Sequence, residues 1–313
     1  MEKTPVIIDT DPGIDDFFAI MLANSSEKLD IKAITTVAGN QTAERVTKNA
    51  LDIADYFNMQ VEVAKGAEKP LNIPLVTAGN IHGESGLGDL QLKASTKAIS
   101  KDYAWDVIYQ QAVAAKGKLE IIAIGPLTNV AIALLKYPNL GQLINRIVIM
   151  GGTSEVGNVS PYVEFNSGAD PFAADIVFES KISLVMVGWN VALPSGLNEV
   201  EVKALNVIET PYSKDCAGLF KFLGDMNHQY GRDTIPLSDA LAVAYAINPT
   251  VLKCADCYVA VETRSSLNMG RTVTDFNGTC KDKSVNCSVG IGTNKAVYFD
   301  MLVQMMNYYH THG

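Results

Sequence analysis

Val6-Ile7-Ile8-Asp9-Thr10-Asp11-Pro12-Gly13-Ile14-Asp15-Asp16 is the stretch on which the fold turns. Three apolar residues suited to a covered strand run into a Pro-Gly turn, and Asp15 and Asp16 open the helical pattern Phe17-Phe18-Ala19-Ile20-Met21-Leu22. The same stretch sets four carboxylates within eight residues at the junction. Asp9 and Asp11, two apart on a strand, share a face, and the turn lets Asp15 and Asp16 converge toward them. Two unit charges about 4 Å apart repel by about 4 kcal/mol at an effective dielectric near 20, whereas a helix N-terminus offsets only about 0.3–1 kcal/mol per charge. Repulsion outweighs the dipole, so the cluster either takes up protons or holds a cation. Calcium, which accepts about six to eight oxygens in irregular geometry, suits it better than magnesium, which prefers an octahedron and a substrate phosphate. The plainer reading is helix capping by one or two aspartates with the others solvated, which four acids in this spacing fit poorly.

Outward from this unit, apolar runs alternate with amphipathic helical patterns, and no repeat or Pro/Gly-rich linker divides the chain. Strands are predicted over Val6–Thr10, Ile31–Val37, Val61–Lys65, Leu119–Ile124, Arg146–Met150 and Ile182–Val187, with a later one near Cys257–Thr263. Helices are predicted over Thr42–Phe57, Tyr103–Lys116, Thr128–Lys136, Asp170–Ser180 and Pro236–Ala246. Continuous apolar strands such as Ile147-Val148-Ile149-Met150 are those of a sheet covered on both sides. The expected fold is therefore α/β: a single domain over residues 1–313, with a mainly parallel central sheet and helices on both faces. In such sheets ligands bind beyond the carboxyl ends of the strands. The segments there are Asp9–Asp16, Ala38-Gly39-Asn40, Gly125–Asn129 and Met150-Gly151-Gly152.

The bulk properties narrow the partner. At 313 residues and 48% hydrophobic content the chain can bury a large core, and its formal charge of −9 disfavours nucleic acid and anionic membranes. A small substrate without strong negative charge is expected. Residues 1–8 lack a secretory pattern and no run reaches the roughly 20 apolar residues that span a bilayer, which suggests a cytoplasmic protein. The five cysteines, an odd number in a chain of this size, are expected to be reduced. Cys254 and Cys257 have the gap of a zinc pair, but they sit in a strand-like run with no second close pair.

The run Asp9–Asp16 resembles the N-terminal signature of the inosine-uridine-preferring nucleoside hydrolases. So do, in order, Thr36-Val37-Ala38-Gly39-Asn40, His82-Gly83 with Gly86-Leu87-Gly88, Gly125-Pro126-Leu127-Thr128-Asn129, Met150-Gly151-Gly152, Asn158 with Glu164-Phe165-Asn166, and Asp239-Ala240-Leu241-Ala242. The resemblance implies the Rossmann-like nucleoside hydrolase fold and calcium-dependent hydrolysis of ribonucleosides to ribose and free base. It assigns calcium to Asp11, Asp16, Asp239 and the backbone carbonyl of Ile124. Asp11 matches the general base acting on a calcium-bound water. Asp15, Asn40, Asn158, Glu164 and Asn166 match residues that hold ribose hydroxyls, Met150 a sugar contact, and His82 the nucleobase side; Asp9 would support the site from behind. The transition state would be oxocarbenium-like, with Asp11, Asp15 and Glu164 stabilising the positive sugar. Related proteins form homo-oligomers, so a dimer or tetramer is implied.

One departure touches the leaving group. Many members carry a histidine just before the C-terminal metal aspartate, where this chain has Ser238, and a serine cannot act as an imidazole-like acid near neutrality, although its hydroxyl could bind substrate by orienting a water or hydrogen-bonding the base. His228 or Tyr230, a short way upstream, are the candidates to serve the departing base, while His310 and His312 are expected to lie in a frayed tail. Taken singly, Asn40 could cap a helix, Asn158 and Asn166 could make turns, Glu164 could be a solvated acid, and Met150 could fill core. Two other functions share some of these features. One is a magnesium-dependent phosphatase with an Asp-x-Asp motif, against which the extra acids Asp15 and Asp16 count; the other is a ribonucleoside-binding protein without catalysis.

Overall fold

In the computed structural model, which describes residues 3–313, the opening stretch folds as strand β1 (Thr4–Thr10) followed by the helix Ile14–Ser25. Side chains alternate across β1: Val6 and Ile8 enter one core, with Phe17, Phe18 and Ile122, and Ile7 enters the other, with Ile121 and Ile147. Both faces are covered, which is why the strand can be apolar without a break. The remaining strands are β2 (Leu29–Thr36), β3 (Glu62–Lys65), β4 (Leu119–Ala123), β5 (Ile144–Met150), β6 (Leu184–Val187), β7 (Leu252–Val261), β8 (Thr272–Asp275) and β9 (Cys287–Thr293).

They form one nine-stranded sheet in the order β3-β2-β1-β4-β5-β6-β9-β7-β8. All pairings from β3 through β9 are parallel, whereas β7 runs antiparallel to both β9 and β8. Strand order reverses between β1 and β4, so the crevice beyond their carboxyl ends is the switch point at which open α/β sheets take their ligands. Asp9 and Asp11 come off β1 there and Ile124 off β4; the backbone N–H of Ile124 donates to the Asp9 carbonyl at 2.8 Å.

The predicted α/β class, single domain and six N-terminal strands agree with this architecture. Two strands, β8 and β9, were not expected. Thr272-Val273-Thr274-Asp275 is short and polar, and β9 carries glycines at 290 and 292, so neither shows a strand-like apolar pattern. The C-terminus also differs from expectation: helix Lys295–His312 continues through both histidines because Tyr298, Met301, Leu302, Met305, Met306 and Tyr309 bury one of its faces in the core. Cys254 and Cys257 stand three apart on β7 and so point to opposite faces. Cys254 packs against one core and Cys257 lies in the other, a placement unsuited to sharing an ion.

Candidate active site

Asp11 and Asp16 are completely buried under the floor of a cavity of about 630 Å³, within the usual range for a small-molecule site. The Asp11 Oδ2 accepts the backbone N–H of Asn40 at 2.6 Å, while its Oδ1 is buried with no partner among the described residues. Gly125 leaves room for that oxygen, since a methyl there would lie 2.7 Å from it. Asp16 is held by the Thr10 hydroxyl on Oδ1, and by the Gly13 N–H at 2.8 Å and the Asn40 amide at 3.2 Å on Oδ2. Gly13 is required for space: a Cβ would sit 2.7 Å from His82 Nδ1 and 2.9 Å from Asn40 Nδ2.

Asp239 reaches this cluster from the far end of the sequence, in the first turn of the helix Ser238–Ile247, which is buried over most of its length. One ligand oxygen each from Asp15, Asp16 and Asp239 lies within 4.8 Å of the others. Asp15 accepts the Ser238 hydroxyl at 3.2 Å on Oδ2, and its buried Oδ1, 3.9 Å from His82 Nδ1, accepts no hydrogen bond among the described residues. Burial and mutual repulsion raise every acid here. Asp16 is pushed up to about 6 by burial and the Asp15 charge, and Asp11 and Asp239 stand well above the usual carboxylate range, Asp11 through burial and the Asp16 charge and Asp239 through burial and the Asp15 charge. Behind them Asp9 accepts Thr35 Oγ1 at 2.5 Å and Asn129 Nδ2 at 2.8 Å, and burial lifts it to about 7. A cluster of buried acids with oxygens that accept no hydrogen bond, and with no Lys or Arg paired to it among the described residues, is a donor set that could hold a hard divalent ion.

Around this floor stand the other residues singled out from sequence. Asp15, Asn40, His82, Ile124, Met150, Asn158, Glu164, Asn166, Tyr230, Ser238 and Asp239 all line the cavity. Glu164 accepts backbone N–H groups from Gly152, Asn166 and Ser167, and burial pushes it up to about 7. Asn166 donates to the carbonyls of Ile124 at 2.9 Å and Met150 at 3.0 Å, which ties the ends of β4 and β5 together. Asn158 accepts the Phe165 N–H at 2.8 Å through Oδ1, leaving its Nδ2 for a ligand. Burial drives His82 down to about 4, and its Nδ1 accepts the Ile14 N–H at 3.2 Å, so the neutral ring carries its proton on Nε2.

His228 is the candidate that the structure does not bring to this cavity. On the helix Ser213–Gln229, Leu223 and Asn227 face the cavity; His228, one residue further round, faces a separate cleft with Phe220, Lys221 and Gly224. Its side chain is 68% exposed and lies 3.7 Å from Asp233. Among the cavity residues that the sequence reading did not single out are Trp189 and Arg232. Trp189 follows the carboxyl end of β6, a position that strand topology marks as a candidate site wall.

Comparison with known proteins agrees with this geometry. Residues 6–300 match the family model described as inosine-uridine preferring nucleoside hydrolase. The chain is 36% identical over 308 residues to the pyrimidine-specific ribonucleoside hydrolase RihA of Shewanella sp. strain MR-7, covering 97% of this chain and 96% of the relative. It is 35% identical to the Salmonella typhimurium protein of the same name, covering 97% and 99%. Among solved structures it superposes with a TM-score of 0.92 on a plant nucleoside hydrolase, at 28% identity and 97% and 99% coverage. The TM-score is also 0.92 with a purine-preferring ribonucleoside hydrolase from Gardnerella vaginalis, at 29% identity and 98% and 99% coverage. By sequence and by architecture, the chain belongs to the inosine-uridine preferring nucleoside hydrolase family, hydrolases acting on N-glycosyl compounds.

Proposed function

We propose that this chain hydrolyses the N-glycosidic bond of ribonucleosides at a calcium site formed by Asp11, Asp16, Asp239 and the Ile124 carbonyl, with Asp11 as general base. The observation that carries the reading is the pair of buried, unpartnered oxygens, Asp11 Oδ1 and Asp15 Oδ1, in a cluster with Asp16 and Asp239. All the donors are oxygens, which suits calcium rather than a softer metal. When bound, the ion offsets the charge of the acids and orders the ribose diol and the attacking water.

The chain's own residues do the rest. Asp11 Oδ2 is pinned by Asn40, so Oδ1 is the oxygen free to accept the proton of water. Asp15, Asn40, Asn158, Glu164 and Asn166 surround the ribose position, with Met150 on the wall, and hold the sugar oriented before reaction. As the bond to the base breaks, the sugar becomes positive, and Asp11, Asp15 and Glu164 are the fixed negative charges beside it. Ser238 is committed to Asp15 and so belongs to the sugar side of the cavity. The names of the RihA relatives point to pyrimidine ribonucleosides as the first substrates to try.

The test is release of free base from uridine, cytidine, inosine and adenosine by calcium-loaded protein. Release from uridine at the least is expected. Binding of these nucleosides with no base released from any of them would make the chain a nucleoside-binding protein instead.

A further inference from the structure

The charges that line the cavity are unbalanced. Asp15, Glu164 and Asp239 are acids, His82 is held neutral by burial, and the one fixed positive charge among the described lining residues is Arg232. Its guanidinium stands 5.2 Å from the ring centre of Trp189 and 5.7 Å from that of Tyr230. These rings hold it by cation–π attraction where it stands half-buried between this cavity and the cleft of His228, and among the described residues no carboxylate pairs with it and no protein group accepts its side-chain N–H groups. Trp189, beneath it, also lines the cavity, and its buried Nε1–H likewise lacks an acceptor. A buried indole donor without an acceptor, beside a guanidinium that no carboxylate neutralises, marks a place for a ligand rich in acceptors.

From this arrangement we infer that Arg232 is the residue that receives the departing nucleobase, stabilising it as an anion in place of the acid that position 238 lacks. The inference rests on the ribonucleoside-hydrolase reading. In the step, the bond from C1′ to the base nitrogen breaks with its electron pair going to the base, where the charge spreads onto a ring carbonyl oxygen. A bond from C1′ to the water oxygen forms, and the water proton goes to Asp11. The guanidinium donates hydrogen bonds to the carbonyl oxygen as its charge grows, and the base then takes its proton from solvent. A guanidinium stays charged throughout and gives up no proton, so this is electrostatic stabilisation and not acid catalysis. Among the described lining residues no other group carries a positive charge to meet the nascent anion.

The experiment compares Arg232→Met and Arg232→Lys with the wild type on uridine and on 4-nitrophenyl riboside, whose leaving group needs little help. Arg232→Met is expected to lose about 100-fold in kcat/KM on uridine and to keep its rate on the nitrophenyl riboside. Arg232→Lys, which keeps the charge without the planar fork, is expected to fall between the two and to carry the test if the Met variant does not fold. Equal losses on both substrates, the mark of a merely structural wall, would overturn the assignment, as would no loss on uridine. A wild-type protein inactive on every ribonucleoside defeats the hydrolase reading and this inference together; an active wild type with indifferent variants defeats the inference alone.

Discussion

Asp11 is suited to accept a proton because its two oxygens have different surroundings. Oδ2 is fixed by the Asn40 N–H, while Oδ1 sits in space that Gly125 keeps clear. Replacing it by Asn keeps the shape and removes the basic oxygen. Asp11→Asn is therefore expected to lower kcat by about 10²–10⁴-fold at saturating calcium, with nucleoside binding largely kept, as read by single-turnover kinetics beside equilibrium binding. The acids were legible from sequence because four of them are adjacent and their repulsion demands an explanation within one short segment. Asp239 became legible only through the family pattern, since nothing local says that residue 239 meets residue 16. Trp189 was legible only as a position, just beyond a predicted strand, and Arg232 not at all, since it comes from a segment without a motif; their pairing is a product of the fold. His228 was assigned to the site by proximity in sequence, but one residue of helical phase, about 100°, turns it into another cleft.

Among the elements, the helix Ser238–Ile247 has the hardest placement, because its N-terminus must deliver an acid into a cluster of acids. It is held there by the C-terminal helix: the hydroxyl of Tyr298, fully buried, donates to the Leu237 carbonyl at 2.9 Å, one residue before Ser238. Tyr298→Phe removes that bond, leaving the carbonyl only the Leu241 N–H at 3.1 Å, and is expected to cost about 0.5–1.5 kcal/mol of stability, measured by urea denaturation. An unchanged midpoint would show that the contact does not hold the helix. The C-terminal helix itself was hard to read because its buried face is made of Met and Tyr interleaved with polar residues, giving a weak periodicity. β8 and β9 were missed because a short polar strand and a glycine-bearing one earn their place by pairing with β7, a long-range contact that local patterns do not encode.

For the molecule as a whole, the site is a concentrated source of instability when no ion is bound. Asp9 and Glu164 hold their protons up to about pH 7, and Asp16 up to about 6, whereas the same groups in an unfolded chain ionise near about pH 4. Between those limits the folded state binds more protons than the unfolded one. Metal-free protein is therefore expected to be most stable at the acid end of the window and to lose stability as pH rises through it. Calcium competes with those protons, so the stabilisation it brings grows with pH. Thermal midpoints of chelator-treated protein should fall between about pH 5 and 8, and calcium should raise them more at the upper end; a flat profile would mean that the acids are not coupled to folding. The same switch point that gathers these charges was only partly foreseeable. Alternating strands and helices indicated a parallel sheet, but the order that sets β1 beside β4 is fixed by packing between distant segments. The most direct measurement of the central claim, that the N-terminal acids and Asp239 form one ion site on which hydrolysis depends, is base release from uridine before chelation, after it, and after calcium is restored. The rate should collapse with removal of the ion and return with calcium. Release at the full rate from protein shown to hold no divalent ion would contradict it.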